Sequence, residues 1–454
     1  MRVLTVAFTA TLLAAPLPAQ ETIAFTNVHV IPMDNERIVT GQTVLVRNGR
    51  IVAMGGGGRI EVPGGATVVD GTGKYLMPGL AEMHAHVPSP NQEQWAYDVL
   101  FLYAANGVTT ARGMLGHPWH LEVRRRLAEG DVPGPHLWTS GPSVNGNSVA
   151  TPDSAVRTPS YQERAGYDFM KIHPGLGREA FDSLDAAADR IGFGFAGHVP
   201  AAVGVMRALE AGYRSIDHLD GYVEWLAGRM PGNMQGTGRF GASVAMDADA
   251  AKIDEIARRT REAGVWNVPT QTLMDWYATA ESADAMGQRP ELAYIPATMR
   301  QNWINAKRNW AQNAPPRETL DRFIAVRHQL IKALHDAGAG LLLGSDAPQI
   351  FNVPGFATHR ELESIVAAGL TPYQALRTGT VNVAQYFGIE RDAGTIAVGK
   401  RGDVILLNAN PLADIRNSKD IAGVLVRGRW LPRAELDGRL AEIAERYGRV
   451  SGER

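Results

Sequence analysis

Residues 76–88, LMPGLAEMHAHVP, end an apolar run with two histidines one residue apart. In an extended strand, residues i and i+2 share a side, so His84 and His86 are set to project together. Such a pair is either two metal ligands or two polar residues on a wet edge. The surrounding pattern decides between them.

From about residue 77 onward, short apolar segments recur: GLAEMHAHV, GVTTARG, HLWTSG, DFMKIHP, GFAGHVP, SIDHLD, VWNVPTQ and GLLLGSD. Amphipathic stretches such as HLEVRRRLAEG, AFDSLDAAADRIG, GVMRALEAG and AKIDEIARRTREAG separate them, most ending in glycine. Eight strand candidates alternating with helices predict parallel βα units of the α/β class, closing into a (β/α)8 TIM barrel over 77–397. Two connections are long: a Gly/Met-rich stretch at 228–248 and a Trp- and Asn-rich one at 276–316. Excursions on that rim commonly form lids or specificity loops.

The flanks read differently. Residues 21–76 alternate β-branched residues with DN, NG and glycine turns, the signals of short hairpins. GGGG at 55–58 neither opens a helix nor precedes Lys-Ser/Thr, so it reads as a turn and not a phosphate cradle. Hairpin-like strands return at 398–432, so both ends are expected to build one composite β-sandwich, followed by a helical tail at 433–454.

Bulk composition narrows the function. Of 454 residues, 45% are apolar and 20% charged, as in ordinary soluble enzymes. The 45 basic residues balance 47 acidic ones, which argues against nucleic acid or an anionic membrane as partner. With no cysteine, disulfides, thiolate zinc sites, Fe–S clusters and cysteine nucleophiles are excluded. A metal here must be held by histidine, carboxylate or something less usual. Residues 1–20, MRVLTVAFTATLLAAPLPAQ, have the layout of a secretory signal peptide, too short in its apolar part to span a bilayer. The expectation is an exported, periplasmic or secreted protein without a membrane anchor.

Polar residues able to bind metal recur at the C-terminal ends of the predicted strands: His84 and His86, Lys171, His198, His218 and Asp346. In a (β/α)8 barrel those ends meet on one face, where active sites lie. Their convergence predicts a metal centre. His173 follows Lys171 by two residues and is a candidate substrate contact. Arg112, ending strand two, suits either a substrate carboxylate or a structural ion pair. Trp276, with Trp225, Trp303 and Trp310, suggests an aromatic pocket mouth favouring apolar or aromatic groups, or else packing.

The motifs PGLAEMHAH, FMKIH, GHVP, SIDHLD and GSDAP, with THRELESIVAAGLTPYQALRTGTVNVAQYFG and GTIAVGKRGDVILLNANPL downstream, resemble the amidohydrolase superfamily from about residue 22 to 430. Within it the chain is most similar to the imidazolonepropionase-like and prolidase-like branch. One departure is Glu82, where members usually carry aspartate; it is not a ligand position. The resemblance implies that His84, His86 and Asp346 hold a buried metal and that His198 and His218 hold a more exposed one. Lys171 would bridge the two as a carboxylated lysine, since an ammonium cannot ligate a cation whereas a carbamate can. Such N and O donors suit two divalent ions, zinc first, with manganese or cobalt as alternatives.

On this reading two cations activate a shared water. Asp346 acts as ligand and general base, then protonates the leaving nitrogen. Tyr222, four residues after His218, is a candidate oxyanion donor. The implied activity is hydrolysis of an amide in a dipeptide of Xaa-Pro type, an N-acyl amino acid or a related small molecule, by a homo-oligomer. A lactonase or phosphotriesterase using the same metals is the alternative. A mononuclear cyclic-amide hydrolase or deaminase is another, against which Lys171 argues. A non-catalytic metal-binding protein would be expected to have lost a ligand or the base, and none is lost.

Overall fold

The computed structural model describes residues 22–448; the expected leader at 1–20 lies outside them. Strands β1 (Thr22–Val30), β2 (Val39–Arg47), β3 (Arg50–Gly56), β4 (Thr67–Asp70) and β5 (Tyr75–Pro78) come first. Asn48 and Gly49, both at positive φ (50° and 70°), turn β2 into β3, the conformation that Asn-Gly favours in a two-residue hairpin.

Strands β6 (Leu80–Ala85), β7 (Val108–Gly113), β8 (His136–Thr139), β9 (Met170–Ile172), β10 (Phe195–Gly197), β11 (Ser215–Asp217) and β12 (Trp266–Val268) alternate with helices. The chain ends with β13 (Val404–Leu407), β14 (Ile421–Val426), β15 (Arg429–Pro432) and the helix Arg433–Gly448, which falls in the expected tail.

Both chain ends enter one eight-stranded mixed sheet, ordered β15-β14-β13-β5-β1-β2-β3 with β4 added on β1. The strands of the expected composite β-sandwich are hydrogen-bonded in one continuous sheet. Strand β5 joins the ends: it runs parallel to β1 and antiparallel to β13, with Met77 opposite Ile405. Ile23, Phe25, Val44, Val46, Val404, Leu406 and Leu425 pack into its own apolar core.

The central strands are all parallel and form two sheets, β6-β7-β8 and β9-β10-β11-β12. Buried strands of this kind read as near-continuous apolar runs. Single parallel bridges extend the pairing: Ser140 to Phe169, Asn267 to Leu341, and Ala85 to Ala347. The predicted eighth strand, GLLLGSD, is therefore an extended segment between β12 and β6 and not a regular strand. Its ladder carries Met83 N–H donating to Leu343 O, resumes at His86 N–H donating to Ala347 O, and is interrupted between them. There Ser345 N–H turns instead to the Glu82 carboxylate, and Asp346 adopts a left-handed φ of 63°. A side chain takes the ladder's place.

The two long connections follow β11 and β12. The first contains the irregular helix Arg239–Asp247, and the second the helices Gln271–Ala278, Ala283–Met286 and Ala297–Asn313. Buried Lys307 donates to Trp276 O (2.6 Å), Tyr277 O (3.3 Å) and Thr279 O (3.0 Å), and Trp310 Nε1 to Tyr277 O (2.8 Å). These donors satisfy carbonyls that the end of helix Gln271–Ala278 would otherwise leave unpaired. Among the described residues no helix is long and apolar enough to cross a membrane.

Candidate metal centre

His84, His86 and Asp346 come together, their ligand atoms all within 4.8 Å of one another. His84 and His86 ring centres are 5.3 Å apart, and His86 Nε2 lies 2.7 Å from Asp346 Oδ1. The row of imidazoles continues from His84 to His218 (4.6 Å), His198 (4.5 Å) and His173 (5.5 Å). Lys171 Nζ stands 3.3 Å from His84 Nε2. All six residues expected to hold metal, with His173, therefore share one locality.

Close approach of backbones makes the site. A Cβ on Gly197 would lie 2.6 Å from Lys171 Cδ, and one on Gly344 would lie 2.9 Å from His84 N. His218 and its neighbour Thr270 both have positive φ (62° and 47°), a conformation that costs energy outside glycine and clusters at functional sites.

The outer partners set which ring nitrogen faces inward. His84 Nδ1 lies 2.9 Å from Asp217 Oδ2, His198 Nδ1 2.7 Å from Asp220 Oδ2, and His218 Nδ1 2.8 Å from Thr270 Oγ1. Each ring thus has Nε2 left for the interior, the arrangement second-sphere groups impose on metal-binding histidines. His218 Nε2 is buried without a hydrogen-bond partner, an arrangement that normally costs free energy, and Asp346 Oδ1 has the His86 ring beside it.

Burial holds His84 and His218 well below the ordinary histidine range, with Lys171 among the cations that add to it; both rings are neutral donors. Burial also lowers Lys171. For Asp217 burial opposes ionisation, but Arg112 and Lys171 beside it prevail and hold the carboxyl below its usual range. Neutral imidazoles, a carboxylate, and a buried ring nitrogen lacking a partner fit divalent cations bound through N and O.

Three expected contacts are corrected. Arg112 is fully buried and donates to Met83 O, Ser215 Oγ, Tyr386 Oη and Asp217 Oδ1. Its donors are committed inside the protein, so it is the structural ion pair and not a substrate anchor. Tyr222 is also fully buried, its hydroxyl 2.9 Å from Thr260 Oγ1 on the helix Ile253–Glu262, so no oxyanion reaches it. Trp276 is buried, bonds Asn352 Oδ1 through Nε1 and is flanked by Arg289 and Arg360; it packs and does not line a mouth. His173 stays at the edge of the row, Nδ1 2.9 Å from Ser143 Oγ, and burial pushes its ring down to about 2.

Sequence reasoning missed the outer partners. Asp217 and Asp220 stand in the quoted SIDHLD, one on each side of His218, but nothing in the spacing says that they serve His84 and His198. Arg327 lies more than a hundred residues from His218 and donates to its carbonyl at 2.7 Å, as well as to Pro269 O at 2.8 Å. Phe240, from the first long connection, packs 5.2 Å from the His218 ring.

The amidohydrolase family model matches residues 75–431. Among solved structures, bottromycin amidohydrolase superposes with a TM-score of 0.73 at 25% identity, covering 94% of this chain and 91% of that one. A Xaa-Pro dipeptidase with bound methionine in its active site gives 0.62 at 18% identity, covering 91% of this chain and 100% of the other. Adenine deaminase of Moorella thermoacetica is 23% identical over 409 residues, 89% of this chain and 54% of its own length. The chain thus spans about half the length, or less, of the first curated relatives it matches. It belongs to the amidohydrolase family.

Proposed function

We propose that the protein is a metal-dependent hydrolase that cleaves an amide bond in a small molecule: a dipeptide, an N-acyl amino acid or a related amide. The observation that carries this reading is the row of imidazoles beside Asp346, in which His84 and His218 are buried and neutral and His218 Nε2 is left without a hydrogen-bond partner. The parallel strands and the extended segment 340–347 are read as the eight staves of a TIM barrel, with this row at its mouth.

His84, His86 and Asp346 would hold one divalent ion and His198 and His218 a second, with Lys171 between them as a carboxylated lysine; zinc suits the donors best. Such ions polarise a carbonyl and activate water at neutral pH. Asp346 accepts the proton of the attacking water on its carboxylate and delivers it to the leaving nitrogen, which cannot depart as an amide anion. Asp217, Asp220 and Thr270 keep three rings from turning. Residues 1–20 support export; a processed N-terminus in the periplasmic or secreted fraction tests that.

The experiment is amine release from dipeptides, N-acyl amino acids and lactams by the zinc-loaded protein, with Asp346→Asn as comparison. The expected outcome is turnover of one class, reduced at least 10³-fold in Asp346→Asn at unchanged melting temperature. Comparable turnover by the variant overturns Asp346 as the base. Silence on amides with turnover of lactones or phosphotriesters moves the assignment to those substrates.

A further inference from the structure

The amide-hydrolase reading leaves open what part of the substrate the protein recognises. With Arg112 committed inside the protein, the candidate site lacks an identified partner for an anionic substrate group. Arg327, also fully buried, is committed to His218 O, Pro269 O and Gln271 Oε1. Lys307 is committed to three carbonyls. On the long connections Arg229, Arg289 and Arg308 pair with Asp247, Glu281 and Asp284, Arg317 just beyond them pairs with Asp321, and part-buried Arg300 donates to Leu292 O.

Arg239 differs from all of these. It is exposed and makes no ion pair with a carboxylate among the described residues. Its guanidinium lies 4.9 Å from the centre of the Tyr277 ring and 6.0 Å from that of Phe240. Phe240 in turn packs against His218. Burial raises the Tyr277 hydroxyl above its usual range, the charge of Asp346 adds to that, and Arg239 opposes it by its charge and by a side-chain hydrogen bond to Tyr277. The guanidinium is therefore joined to the histidine row through the Phe240 ring and lies on the side of the site that Tyr277 faces.

The corner that carries it is built, not loose. Arg239 follows Gly238 (φ 73°) and precedes Phe240 (φ 55°) and Gly241 (φ 79°). A Cβ on Gly238 would lie 2.3 Å from Ser243 Oγ, and one on Gly241 would lie 2.9 Å from Val223 Cβ. Only glycine accepts both the left-handed backbone and that closeness. Phe240 adopts the costly left-handed conformation without being glycine, which persists only where surrounding contacts enforce it.

We infer that Arg239, laid on Tyr277 beside Phe240 and His218, is the specificity residue that binds a carboxylate of the substrate, so the amides cleaved are N-acyl amino acids or peptides with a free carboxylate close to the scissile bond. A guanidinium meets a carboxylate with two parallel N–H donors, and stacking on an aromatic face fixes its plane beforehand. This rests on the amide-hydrolase reading, and the test separates the two.

N-acetyl-phenylalanine, N-acetyl-leucine and N-acetyl-proline are each compared with their carboxamides on the zinc-loaded full-length protein, by turnover and by calorimetric binding. The wild type favours the acids, and Arg239→Gln erases about 10–100-fold of that preference, carried by KM and by binding affinity. Arg239→Lys restores part of it. Equal losses on acids and carboxamides, no preference in the wild type, or no binding of any acid overturns the inference. Arg239-dependent binding of acids without hydrolysis of any probe overturns the amide-hydrolase reading and leaves the carboxylate site standing.

Discussion

Glu82 on β6 accepts hydrogen bonds from both the backbone N–H and the hydroxyl of Ser345, each at 2.7 Å. The same carboxylate takes His84 N–H (3.1 Å) and Thr358 Oγ1 (2.9 Å), while burial pushes it up to about 7. It joins the strand bearing two histidines to the segment bearing Asp346. Glu82→Gln keeps an acceptor for both N–H groups, and the hydroxyls can turn to accept from its amide, so its cost stays below about 1 kcal/mol. Glu82→Ala leaves two buried N–H groups unpaired and loses about 3 kcal/mol or more. Urea midpoints of the two variants check this; equal midpoints would refute it.

Asp217 sits between Arg112 Nη2 at 3.2 Å and His84 Nδ1 at 2.9 Å. Asp217→Asn removes the one carboxylate paired with the fully buried Arg112 guanidinium among the described residues, a change that typically costs about 3–5 kcal/mol. It also frees the His84 ring, so metal affinity falls about 10–100-fold. Zinc retention against a graded chelator, read beside the melting temperature, separates the two effects.

At Gly197, φ is 123°, and a Cβ would stand 2.6 Å from both Ile172 O and Lys171 Cδ. One of the two neighbours is backbone and cannot yield cheaply. Gly197→Ala is expected to lose about 2–4 kcal/mol and to displace Lys171. A variant with wild-type stability and metal content would show that the strand shifts without cost.

His359 is fully buried, Nε2–H donating to Asn106 O and Nδ1 accepting from Ser418 Oγ, both at 2.9 Å. Burial pushes the ring down to about 4 from 6.5. A histidine depressed in the folded state binds its proton more readily when unfolded. Its stability contribution is thus complete above pH about 6.5 and is lost as pH falls towards 4, by about 3 kcal/mol at most. The advantage of wild type over His359→Gln in urea should shrink between pH 7 and pH 4.5; a constant difference would contradict the shift.

Much of this arrangement was legible because strand ends carry the chemistry. GLAEMHAH, DFMKIHP, GHVP, SIDHLD and GSD each place a ligand-capable residue just past an apolar run, and the structure gathers all of them. What escaped depends on distances between segments far apart in the chain. Arg112 resembles a substrate anchor until the Asp217 and Tyr386 contacts are known, and Tyr222 and Trp276 share that ambiguity. The expected eighth strand is interrupted where the Glu82 carboxylate takes the Ser345 N–H that a ladder would use.

The pairing of β5 with β13 puts Pro78 opposite Val404, residues made roughly 300 positions apart. At ordinary ribosomal speeds that separation lasts on the order of 15–60 s. Through that interval the first strands of the sheet exist while their partner does not, so β5 presents an open, apolar edge of the kind that recruits stray strands. The eight-stranded sheet, begun before the central parallel strands, is completed only after them, and a nascent chain stalled anywhere in between carries an unsealed seam.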